Sequence, residues 1–148
     1  MSEQTLTAAE TADLRCLAGM IIPASAKYGV PGADDDAIVA DIVGSIARDS
    51  DAVRAVLGAL RRLAGGPFAM LDAARRDSLA AKLRAEGGAA LGVLTRIVIL
   101  CYYRDDRVMV SLGVEVRPPF PKGHVLEQGD WSLLDPVRAR KPFWRAVS

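Results

Sequence analysis

Apolar positions recur at helical spacing through the first three quarters of the chain, with short breaks rich in glycine, proline and aspartate. Leu14, Leu17, Ala18 and Ile21 fall on one face of a helix predicted from about Ala8 to Ile22. Thr7 and Glu10 fit a capping box at its start, and Pro23 stops it. Residues 23–36 read as a loop, closed by Asp34, Asp35 and Asp36, whose carboxylates suit the positive end of a second helix. Ile38, Ile42, Val43 and Ile46 are its expected buried stripe. Ser50 is the expected cap of a third helix carrying Val53, Val56, Leu57, Leu60 and Leu63, and Gly65-Gly66-Pro67 ends it. Asp72 is placed to cap a fourth helix with Leu79 and Leu83, closing at Gly87-Gly88. A fifth helix, about Ala89 to Tyr103, is apolar nearly all round, the pattern of a central helix enclosed by others. A short sixth helix spans Asp106 to Leu112. The predicted fold is therefore all-α: one bundle of five to six helices over residues 1–113.

The pattern changes after Gly113. Residues 114–148 hold Pro118, Pro119, Pro121, Pro136 and Pro142 and no sustained period. They also hold Phe120, Trp131, Phe143 and Trp144. Large aromatics anchor cores and interfaces, so this stretch reads as an ordered, extended arm of the same domain, lying over its own bundle, a partner, or both.

Composition narrows the function classes. With 148 residues and 51% hydrophobic side chains, the chain has enough apolar material for a core without disulfides or metal. Its 19 basic and 18 acidic residues give a net charge of +1, which does not point to nucleic acid or to an anionic membrane surface. Cys16 and Cys101 each lie in apolar stretches and read as buried thiols, with one long-range disulfide as the sharper alternative. The most apolar stretch is short for a membrane span and carries Arg96 in its middle. Such an arginine is expected to pair with a carboxylate or carbonyls, or to reach a partner. The start has neither a basic region nor an apolar run, and Arg61-Arg62 and Arg75-Arg76 lie deep in the chain. As written, the chain reads as cytoplasmic, or periplasmic if an export signal has been removed.

A search for chemistry returns little. His124, the one histidine, lies between Gly123 and Val125 with no nucleophile motif to serve. Asp34-Asp35-Asp36 and Asp105-Asp106 lack the spacing of a calcium loop and read as helix caps. Gly29-Val-Pro-Gly32 and Gly87-Gly88 match neither dinucleotide nor P-loop patterns. Arg138, Arg140, Lys141 and Arg145 form a basic cluster, readable as a solvated tail, as a match for an acidic protein patch, or as a nucleic-acid contact. No catalytic, cofactor or metal residue is expected in this chain.

Two stretches carry a resemblance. Leu17-Ala-Gly-Met-Ile-Ile-Pro23, followed by Pro31-Gly-Ala33 and an acidic helix start, resembles the opening of the gluconate 2-dehydrogenase subunit 3 family. Tyr102-Tyr103-Arg-Asp-Asp-Arg-Val108 followed by Leu112-Gly113 is similar to a later motif of that family, although Asp106 stands where proline is frequent there. Pro119-Phe-Pro-Lys-Gly123 and Gly129-Asp-Trp-Ser-Leu-Leu-Asp-Pro136 look like the tails of its soluble members. The resemblance implies a small, helical, non-catalytic subunit of a dehydrogenase of the glucose–methanol–choline type. The large subunit would carry FAD and oxidise a sugar or alcohol hydroxyl to a carbonyl. The small one would stabilise or mature it.

With no catalyst in the chain, function would pass through contact. The expected contact residues are Tyr102, Tyr103, Arg107, Phe120, Trp131, Leu134, Arg138, Phe143 and Trp144. A stand-alone helical binding or regulatory module and a self-sufficient enzyme remain as other readings of the residues.

Overall fold

A computed structural model describes residues 6–117, 123 and 126–141. The described residues are all-α, with seven helices and no strand beyond one isolated bridge between Ser25 and Val30. The chain divides after Val116 into two units, each taken by itself below. The first holds α1 (Ala8–Ile21), α2 (Asp36–Ser45), α3 (Ser50–Ala64), α4 (Ala73–Glu86), α5 (Ala89–Tyr103) and α6 (Asp106–Ser111).

The helix starts follow from local chemistry. The Thr7 hydroxyl accepts from the Glu10 amide at 3.2 Å while the Glu10 carboxylate accepts from the Thr7 amide at 2.8 Å, so the capping box forms in both directions. Asp35, Asp72 and Asp105 cap α2, α4 and α6 by accepting from the amides of Ala37, Arg75 and Arg107. Gly65, at φ 70°, ends α3 in the left-handed conformation that only glycine adopts freely. Ser50 departs from expectation: it lies inside α3 and does not cap it. A tight 3-10 turn, Ala47–Asp49, runs straight from the buried Ile46 into α3. Asp49 occupies the cap position, and its carboxylate is engaged by Arg96 at 3.2 Å.

One core cluster joins all six helices. Leu14, Leu17 and Ala18 of α1, Ile38 and Ile42 of α2, and Val53, Val56, Leu57 and Leu60 of α3 converge with Leu94, Ile97 and Val98 of α5. Val43 is only partly buried, Val39 is buried beside it, and Leu63 is exposed at the end of α3. Phe68, on a 3-10 turn (Phe68–Met70) between α3 and α4, is fully buried and packs toward α1. Asp13 is the one buried charged residue among those described. It accepts from Arg61 Nε at 2.6 Å and from the Ala69 amide at 2.9 Å, tying α1 to α3 and to the Phe68 turn.

α5 is not enclosed, contrary to its sequence pattern. One side packs on α2 and α3, but Ile99, Leu100 and Tyr103 are 39%, 55% and 53% exposed. The neighbours of α5 stand on one side of it, so its other side stays open although it is apolar.

In the second unit, Trp131–Leu134 form a 3-10 turn that runs into α7 (Asp135–Arg138). Asp130 starts it, accepting from the amide and hydroxyl of Ser132 at 3.0 and 2.6 Å. This turn within the arm has too few residues to show a period. The signals that mark it are Asp130 ahead and Pro136 in its first helical turn. Phe120, His124, Phe143 and Trp144 lie outside the described residues.

Candidate functional site

The two motif-bearing segments of the first unit meet at one corner. The loop between α1 and α2 supplies Pro31, Gly32 and Asp34–Asp36, and the α5–α6 junction supplies Tyr102–Val108. Tyr102 is buried, and its hydroxyl donates to the Pro31 carbonyl at 3.2 Å. Burial pushes that phenol above its ordinary value. Tyr103 stands edge-on to Tyr102, with ring centroids 5.2 Å apart, and faces outward.

Arg107 joins the segments by charge. Its guanidinium reaches Asp35 with Nη1 at 3.1 Å and Nη2 at 2.7 Å, and Asp105 with Nε at 3.0 Å and Nη2 at 2.9 Å. The Arg107 bond is the chief reason the Asp35 carboxyl is held down to about 2, helped by the amide of Ala37. Asp105 is lowered for the same first reason. Arg15 of α1 adds a third tie, donating to the Asp34 carbonyl at 2.9 Å and pairing with Asp36.

Glycines make the corner close. A Cβ at Gly32 would lie 2.9 Å from the backbone nitrogen of Ala24 and against the Asp34 carboxylate. A Cβ at Gly19 would meet Cβ and Cγ of Asp34 at 2.9 Å. The chain can therefore fold back from α1 into α2 with Asp34 wedged between them.

Beside this corner, Arg104 pairs with Asp41 and donates to the Ser45 hydroxyl at 2.6 Å. Cys101 lies beneath it. Burial pushes its thiol up, so it stays protonated at neutral pH. Both cysteines are free; Cys16 is partly buried, 3.0 Å from Nη1 of Arg76. The ion pairs of the corner fix loop and helix positions. Among the described residues no group of three or more His, Cys, Asp or Glu is placed to hold a metal ion. No single described helix is long and apolar enough to cross a membrane.

Of the expected contact residues, Tyr102, Tyr103 and Arg107 come together here, with Tyr102 facing the core and the other two facing outward. Trp131 and Leu134 share the helical turn of the second unit, and both are exposed. Arg138 pairs with Asp135 at 3.1 Å. Phe120, Phe143 and Trp144 lie outside the described residues, as does Arg145 of the basic cluster. The sequence reading missed the open side of α5, because an all-apolar helix announces burial without saying on how many sides.

The chain matches no family model, no curated protein and no solved structure.

Proposed function

We propose that this chain is the non-catalytic small subunit of a heteromeric FAD-dependent alcohol or sugar dehydrogenase. In this reading it stabilises or matures a large subunit that carries the flavin and oxidises a hydroxyl to a carbonyl. The observation that carries the reading is the Tyr102–Pro31 and Arg107–Asp35 corner. The two stretches that resemble the subunit 3 family are 71 residues apart at that hydrogen bond, yet they form one structural unit. The outward Tyr103 and the exposed Trp131 supply aromatic surface of the kind that anchors protein partners.

The test is purification of the tagged full chain from its own cells. The expected result is a stoichiometric complex with a yellow chain of several hundred residues whose released cofactor is FAD. The small chain, separated from it, should show no flavin absorbance near about 450 nm, since the flavin belongs to the large chain. A monodisperse chain with no flavoprotein in its company would replace this reading with a stand-alone binding module.

A further inference from the structure

The open side of α5 is one element of a longer groove. A hollow of about 250 Å³ between α1, α4 and α5 is lined by Leu17, Met20, Leu83 and Leu91. It shares Leu91 and Thr95 with a shallower, almost wholly apolar trough of about 560 Å³ over Gly92, Ile99 and Leu100. That trough shares Arg96 and Leu100 with a third hollow of about 410 Å³, bounded by the α2–α3 connection. The three run as one track across α5.

Charge along the track is one-sided. Arg84 lines one end, and Arg48, Arg96 and Arg104 line the other, against the single carboxylate of Asp49. Asp49 pairs with Arg96, and Asp41 with Arg104. Arg48 and Arg84 have no acidic partner among the described residues. A chain of net charge +1 thus presents an apolar floor between two basic ends.

We infer that this groove is the seat of an acidic, apolar-faced segment of the flavin-carrying large subunit. The inference rests on the function proposed above and names the surface it uses. Charge selects this occupant over a second copy of the chain. Two copies related by a two-fold axis across α5 would set Arg48 of each against Arg84 of the other, which disfavours assembly. Area adds a condition on the occupant. The 15 residues of α5 are about 22 Å long. One helix face of that length falls well short of the roughly 800 Å² per partner of a stable interface, so the groove needs a partner that engages other surfaces as well.

Two full-length variants, each co-produced with the flavin-carrying chain, test this. Gly92→Trp fills the trough, and nothing lies within 4 Å of a Cβ there, so the bundle itself is not crowded. The double variant Arg48→Glu, Arg84→Glu reverses the free charges at both ends. Each should retain about ten-fold less FAD per small chain than wild type, as for loss of an interface anchor, with an unchanged melting temperature. Retention equal to wild type in both variants overturns the groove and leaves the proposed function standing. A wild-type chain that retains no FAD overturns the function and the occupant together. A dimer seen by light scattering of the chain alone, and abolished by Gly92→Trp, would give the groove to a second copy and overturn the assignment.

Discussion

The two units of this chain use similar side chains to opposite ends. In the first, leucine, isoleucine and valine recur every three or four residues along helices of 10 to 15 residues, and they close into one buried cluster. In the second, Leu126, Trp131, Leu133, Leu134 and Val137 are all exposed, and none of residues 126–141 is buried. Apolar content is therefore not what makes a core; repetition over enough turns is. A four-residue helix such as α7 has no second turn with which to build a stripe, and pieces that short are marginal without a surface to lie on. The same residue types are interior in one unit and exposed in the other.

The contrast is most easily broken at Phe68. If the first unit is a true interior, Phe68→Ala should cost about 3–5 kcal/mol in a urea titration, because a fully buried ring leaves a cavity. A loss below about 1 kcal/mol would mean that the 3-10 turn is an accessory. Next in size is Trp131→Ala. It should weaken binding of the proposed large subunit by about 2 kcal/mol or more and leave the urea midpoint where it was. Truncation after Val116 sharpens the same point. The shortened chain should keep a cooperative melt and lose the proposed partner; a non-cooperative melt would make the second unit part of the interior.

Smaller effects probe the polar ties. Arg96→Met removes an exposed pair with Asp49 and should cost less than about 1 kcal/mol of stability, so a larger loss would mean the arginine is structural. Asp35 sets a pH dependence. Its folded value is held near 2, below the ordinary carboxylate range, so its contribution is complete above the unfolded value and fades as the pH falls from about 4 to about 2. The urea midpoints of wild type and Asp35→Asn should therefore differ more at about pH 6 than at about pH 3. A gap that stays constant across that range would exclude the Arg107 bond as its source.

Helix positions were legible because they depend on neighbours in sequence. Thr7 with Glu10, Asp72 and Gly65 each announce a terminus within a few residues of it, and the structure places the termini there. Ser50 was misread because the turn at Ala47–Asp49 depends on where Ile46 is buried, which is a tertiary matter. The same limit applies to the candidate site. The resemblance drew attention to both halves of the corner, but the bond from Tyr102 to Pro31 joins residues that no local pattern relates. Asp13 was invisible for a related reason. An acid on an apolar face looks like an error until Arg61 and the Ala69 amide are brought to it.

The glycine at position 32 has a consequence for descent. Its missing Cβ is a requirement set by the backbone of Ala24, which cannot turn aside as a side chain can. In lineages that inherit this corner, glycine there is held by geometry. The tyrosine whose hydroxyl reaches the carbonyl one residue earlier is tied to the same corner. Distant cousins of this chain should then betray themselves by a glycine and a tyrosine about 70 positions apart, flanking an acidic helix start, long after the rest of the text has been rewritten.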